Sequence, residues 1–203
     1  MDRNLRHAVI AAIAVASLAG CASMHEAMHG GGGWTTLFDG KSLDNWNRAG
    51  DANWRIEDGL IVADKGRGFI VTPQKYQDFE VRVEFWADEE ANSGIYYRCT
   101  SATDLSNATC YEANIYDKRP TPYGSGAIVD VTEIKPRPMA ANHWNTYILT
   151  VKGDHHELVM NGVKTEGHDT KRTGAGYIGL QRFDGLVKDK GTIKFRKVEI
   201  KPL

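Results

Sequence analysis

From Phe79 to Trp86 the sequence alternates without a break. Phe79, Val81, Val83 and Phe85 fall on one side of an extended chain, and Glu80, Arg82, Glu84 and Trp86 on the other, because successive strand side chains point to opposite faces. The pattern predicts a half-buried antiparallel strand with a dry inner face. Its other face sets two carboxylates, a guanidinium and an indole in a row. The chain then turns through Asn92-Ser93-Gly94 into a second strand bearing Tyr96 and Arg98. A later strand, Tyr111 to Tyr116, adds Glu112 and Asn114 on one face, with Asp117 at its exit. If these strands are neighbours, their polar faces line one trough flanked by aromatic rings, the chemistry of a sugar-handling site. The competing reading of Glu80, Arg82 and Glu84 is a set of cross-strand ion pairs on a solvated sheet.

Short strands with turn signals between them run through the rest of the chain. Thr35 to Phe38 is followed by the turn Asp39-Gly40, and Leu43 and Trp46 are core anchors. Asp58-Gly59 joins Trp54–Glu57 to Leu60–Ala63, and Asn161-Gly162 joins His156–Met160 to Val163–Glu166; both dipeptides favour tight hairpins. Phe69–Thr72, Gly126–Asp130, Trp144–Val151 and Gly174–Gln181 read as further strands. The last, Ile193 to Ile200, slips its parity between Phe195 and Val198, which predicts a bulge. A dozen strands without an amphipathic helix imply an all-β fold, a two-sheet antiparallel jelly-roll sandwich spanning residues 34–203.

The front end is of another kind. Arg3 and Arg6 precede an apolar run, Ala8 to Ala19, too short to span a bilayer and of the right length for a signal-peptide core. It ends in Leu18-Ala19-Gly20-Cys21, which resembles the bacterial lipobox, so residues 1–20 read as a lipoprotein signal peptide with Cys21 as the lipidated residue. Residues 21–33 end in four glycines and read as a flexible tether. Ala22 after the cysteine resembles the pattern for sorting to the outer membrane, facing the periplasm. The two remaining cysteines, Cys99 and Cys110, stand at the end of one predicted strand and the start of the next. In an oxidising compartment they suit a disulfide closing the loop.

Several motifs stand in sequence: LFDGKSLDNW at 37–46, WRIEDG at 54–59, YQDFEVRVEF at 76–85, NSGIYYR at 92–98, YEANIYD at 111–117, and IGLQ at 178–181. Together they resemble the 3-keto-disaccharide hydrolase domain family, over essentially all of 34–203. The resemblance implies a concanavalin-like jelly roll acting on oxidised sugars in the cell envelope. The chain departs from the family pattern at Arg182-Phe183-Asp184-Gly185, where many relatives place His-Gly, and at Val129, where an aromatic is common.

A ketone at C3 of a sugar acidifies the C2 hydrogen. Cleavage then needs a base, a cation or donor at the developing oxyanion, and an acid for the leaving oxygen. Glu112, with Glu84 second, is the candidate base. Arg98 is the candidate oxyanion partner, because a guanidinium stays charged and is directional. Asp117 is the candidate acid or a ligand for a divalent cation. Tyr96, Asn114, Trp144 and Gln181 are the candidate substrate-binding residues. Hydrolysis by a carboxylate pair is the alternative mechanism, and a non-catalytic carbohydrate-binding lipoprotein is the alternative function, since the fold alone does not decide. A third reading is a structural lipoprotein packed against an envelope partner. The formal charge of −1 removes the electrostatic case for nucleic acid. No phosphate-cradling glycine motif is present, so no organic cofactor is expected and oxidation of the sugar falls to a separate dehydrogenase. If Cys21 is the lipid attachment site, the Cys21→Ser variant expressed in a bacterial host shifts from the membrane to the soluble fraction and loses incorporation of labelled palmitate.

Overall fold

The computed structural model describes residues 33–203 and the backbone of His29–Gly30. The expectations for the signal peptide, Cys21 and nearly all of the 21–33 tether lie outside the described residues. No helix occurs among the described residues. The strands are β1 (His29–Gly30), β2 (Trp34–Phe38), β3 (Asn47–Gly50), β4 (Arg55–Glu57), β5 (Leu60–Ala63), β6 (Gly68–Val71), β7 (Phe79–Ala87) and β8 (Asn92–Cys99), then β9 (Tyr111–Ile115), β10 (Trp144–Lys152), β11 (His155–Met160), β12 (Val163–His168), β13 (Tyr177–Phe183) and β14 (Ile193–Pro202).

They form two antiparallel sheets. The larger runs β1-β2-β14-β7-β10-β11-β12, with the β4–β5 hairpin joined to it through β14; the smaller runs β3-β6-β13-β8-β9. The predicted hairpins stand where the turn chemistry puts them, with Asp58, Gly59, Asn161 and Gly162 all at positive φ. The parity slip in β14 is a register shift against β7 between Phe195 and Lys197. Gly126 to Asp130, read as a strand, makes only isolated bridges from Ile128 to Ala113 and Thr132, while the exposed, weakly patterned β3 escapes a periodicity reading.

The alternation of β7 is realised in full. Phe79, Val81, Val83 and Phe85 are all wholly buried. They pack among Tyr147, Leu149 and Val151 of β10 and Phe195, Val198 and Ile200 of β14, with Ile70, Ile95, Tyr97 and Leu180 of the smaller sheet in the same core. Burying each large apolar side chain contributes about 1.5–3 kcal/mol.

Consecutive strands β7 and β8 are not neighbours. The chain leaves β7 in the larger sheet and enters β8 in the smaller one, because the Asp88–Ala91 turn carries it across the sandwich. The single trough expected from β7, β8 and β9 therefore does not form. Instead the polar row of β7 lies on the outer face of the larger sheet as an ion-pair ladder: Glu80 with Lys201, Arg82 with Glu199, and Glu84 with Arg196.

Arg98 breaks the alternation of β8. Its φ is +54°, so Tyr97 points into the core, Cys99 joins the outer-face cluster of the smaller sheet, and the Arg98 side chain leaves the expected face. Its guanidinium, fully enclosed, donates to Asp78 at 2.9 Å, to the Gly174 carbonyl at 2.8 Å and to the Gly153 carbonyl at 3.3 Å. Arg98 therefore ties the two sheets together. Arg98→Ala strands these acceptors and is expected to cost about 3 kcal/mol, read by urea unfolding; an unchanged midpoint would show that the clamp carries no stability.

Candidate active site

The outer face of the smaller sheet is the one place where the predicted residues converge. Strand register aligns Gln181 of β13, Gly94 of β8 and Asn114 of β9 across the sheet. The adjacent row sets Gly179, Tyr96 and Glu112 side by side. The Glu112 side chain leans over Gly94, where an added Cβ would stand 3.0 Å from Oε1 and 3.1 Å from Cγ. Glycine at 94 thus leaves the space this carboxylate occupies.

Glu112 is 3% exposed. Burial pushes its carboxyl up to about 7, against the opposing pull of the Arg119 guanidinium and hydrogen bonding with Tyr96; Asp130 nearby pushes it further up. Arg119 Nη1 stands 3.7 Å from Glu112 Oε2. The Tyr96 hydroxyl accepts from Gln181 Nε2 at 3.0 Å and donates to Asn107 Oδ1 at 3.2 Å. Burial and the Glu112 charge push the Tyr96 phenol far above its ordinary range, so it remains a neutral donor. Asn114 Nδ2 donates to the Tyr123 carbonyl at 2.6 Å. The side-chain oxygens of both amides, Asn114 Oδ1 and Gln181 Oε1, are buried without a partner. Unpaired buried acceptors are rare and costly, and these two flank Gly94 from either side.

The other candidates are elsewhere. Glu84 belongs to the opposite sheet, bound by Arg196 at 2.6 Å and near Lys197. Trp144 is also on that outer face, paired in register with Trp86 and covered by the Arg196 guanidinium at 4.3 Å. Asp117 is close in sequence but committed: its carboxylate accepts from Ser125 Oγ at 2.6 Å and from the backbone N–H groups of Ala140 and Ala141 at 2.9 Å. An acceptor so occupied holds the loop in place. Arg119 is the neighbour of Glu112 that strand reasoning missed. It sits in the β9–β10 connection, outside any parity pattern. Its loop is sutured by Arg137, whose guanidinium donates to the carbonyls of Asp117, Arg119 and Thr121.

Two loops frame the face. The bonded pair Cys99–Cys110 closes residues 100–109, and Leu105 from this loop lies over Gly179 beside Tyr96 and Phe69. Arg182 and Asp184 are paired at 2.9 Å, and Arg182 also donates to the carbonyls of Asp64, Gly66 and Lys190, which makes the pair a structural clamp at the strand end. On the far side of the larger sheet, His155, Glu157 and Glu166 place ligand atoms within 4.8 Å of one another, a set compatible with a divalent cation. The Lys164 ammonium already stands 3.2 Å from Glu157 and 2.8 Å from Glu166.

The model of the family described as the 3-keto-alpha-glucoside-1,2-lyase-like domain matches residues 33–201. A 3-keto-disaccharide hydrolase of Bacteroides thetaiotaomicron is 31% identical over 84 residues, covering 35% of this chain and 29% of that protein. The match therefore spans under a third of that relative's length. Among solved structures, a candidate glycosyl hydrolase from Parabacteroides distasonis superposes with TM-score 0.67 at 26% identity, covering 84% of this chain and 99% of that one. A carbohydrate binding module from Bacillus subtilis superposes with TM-score 0.60 at 17% identity, covering 77% of this chain and 95% of that one, a likeness of fold.

A carboxyl raised to about 7 in the folded chain favours folding at low pH, and that contribution is lost as pH rises from the unfolded value through 7. Glu112→Gln removes the ionising group. It is expected to match the parent at pH 4 and to exceed it at pH 8.5 by up to about 3 kcal/mol, read as the difference in thermal midpoint at the two pH values. Equal differences at both would place Glu112 in contact with water.

Proposed function

The chain belongs to the 3-keto-alpha-glucoside-1,2-lyase-like domain family, and from that premise we propose that it cleaves 3-keto-glycosides on the outer face of its smaller sheet. Glu112 is the base and Arg119 the cation at the developing oxyanion. The observation that carries this reading is one buried carboxyl, raised to about 7, with one guanidinium at 3.7 Å and two unpartnered amide oxygens on the same face. A base with this affinity for protons is ionised near neutral pH and strong enough to take a C–H proton activated by a ketone.

Glu112 removes the C2 hydrogen as a proton, and the electron pair moves into an enolate toward the C3 oxygen. Arg119 stabilises that charge. The enolate expels the C1 substituent, whose oxygen takes up a proton, and water then adds across the C1–C2 double bond. The net result is a free 3-keto sugar and an alcohol. Asn114 Oδ1 and Gln181 Oε1 accept hydrogen bonds from ring hydroxyls. Hydrolysis by a carboxylate pair has less support, because Glu84 is in the other sheet and Asp117 is held by backbone donors. Binding without chemistry gains support from the lectin-like fold, yet a recognition site has no use for the cost of a buried, raised carboxyl.

The leader pattern supports placing this activity in the cell envelope, with Cys21 as the lipid anchor and the ketone supplied by a separate dehydrogenase. Incubating the full chain with 3-keto-trehalose or 3-keto-lactose is expected to release glucose. The rate constant kcat/KM rises with pH through about 7, since the base works ionised. Arg119→Gln moves that limb to higher pH, and Glu112→Gln lowers the rate about 100-fold or more. In deuterium oxide the product carries deuterium at C2; turnover without any such exchange would remove the elimination.

A further inference from the structure

The row that holds the two free amide oxygens does not end at Gln181. Register carries it on to Phe69 of β6 and Ala49 of β3. Phe69 packs edge-on against Tyr96 with ring centroids 4.9 Å apart, and against Phe183 at 5.5 Å. Ala49, Phe69 and Phe183 floor an open depression walled by Leu105 of the disulfide-closed loop and rimmed by Arg67 and Asp104. The Arg67 guanidinium is fixed by Asp184 at 2.7 Å while remaining largely exposed. From Gly94, under the Glu112 carboxylate, to Phe69 is two strand spacings, about 10 Å. That is the reach of one pyranose ring and its glycosidic bond. The partnerless Gln181 Oε1 stands between the two positions.

We propose that this depression is the leaving-group subsite, and that it takes a ring with an apolar face, lying on Phe183 and Phe69. The inference rests on the reading of Glu112 as the base at the sugar ring. The apolar face belongs either to an aryl group or to the C–H face of a second sugar, both of which stack on aromatic side chains. Arg67 and Asp104 meet hydroxyls at the ring's edge. The site therefore selects 3-keto-glycosides whose substituent at C1 is itself cyclic. A small alkyl substituent leaves the subsite empty.

The test compares three 3-keto-glucosides carrying methyl, 4-nitrophenyl and glucosyl leaving groups, with the parent chain and Phe183→Ala. Phe183 is half-buried at the end of β13, and thermal melting checks that the variant is folded. Phe183→Ala is expected to lower kcat/KM about tenfold on the ring-bearing substrates and less than about twofold on the methyl glycoside. Loss on the aryl substrate alone identifies an aryl subsite, and loss on the glucosyl substrate alone a sugar subsite. Equal losses on all three, or none on any, would overturn the proposal. Affinities of the same glycosides for Glu112→Gln, with and without Phe183→Ala, give the same ranking by calorimetry if the subsite exists. If the parent turns over none of the three while this ranking holds, the base assignment has failed and the subsite stands.

Discussion

The dry seam between the two sheets is what the rest of the molecule is arranged around. Phe79, Val81, Val83 and Phe85 are completely enclosed, and only this parity of β7 turns all four inward at once. Slipping the strand by one residue would put Glu80, Arg82 and Glu84 into the core, where unpaired charges are prohibitively costly. The same constraint sends those three residues outward, into cross-strand pairs with Lys201, Glu199 and Arg196. It thereby removes Glu84 from any chemistry on the opposite sheet.

With that polarity set, the smaller sheet is left with an outer face of its own. Two loops decide what that face can do. The Cys99–Cys110 loop lays Leu105 over Gly179 and covers part of the strand surface. The β9–β10 connection brings Arg119 to Glu112 and is held in place by Asp117 and Arg137. Between them Glu112 loses most of its water and gains a single nearby guanidinium. The attraction is too weak, at 3.7 Å and with Arg119 partly solvated, to offset the loss of hydration, so the carboxyl stays raised. A tighter ion pair would have held the carboxyl lower. Arg98 with Asp78, and Arg182 with Asp184, show that stronger arrangement at the sheet ends.

Much of this was readable from residue order. Alternation in β7, β10 and β14, the Asp58-Gly59 and Asn161-Gly162 turns, and the slip after Phe195 all depend on nearest neighbours along the chain. Glu112 and Asn114 were also legible as one face, because they stand two residues apart on one strand. The failures share a cause. Arg98 was misplaced because one positive φ reverses parity, and a non-glycine residue gives no warning of it. Glu84 was misplaced because the consecutive strands β7 and β8 were taken as neighbours, although the chain crosses the sandwich between them. Arg119 was overlooked because a loop residue has no periodicity to reveal its direction.

The chain alone determined that this protein is a two-sheet β sandwich, where most strands begin and end, and which side of the alternating strands is dry. Those properties follow from local geometry and from the cost of burying charge, which act on every few residues independently. Only the tertiary structure decided which strands face one another, that Glu112 meets Arg119 and not Arg98, and that Asn114 and Gln181 straddle Gly94. Such pairings join residues far apart in the sequence, and they depend on sheet order, on a single reversed dihedral and on the path of two loops, none of which leaves a repeating mark in the order of amino acids.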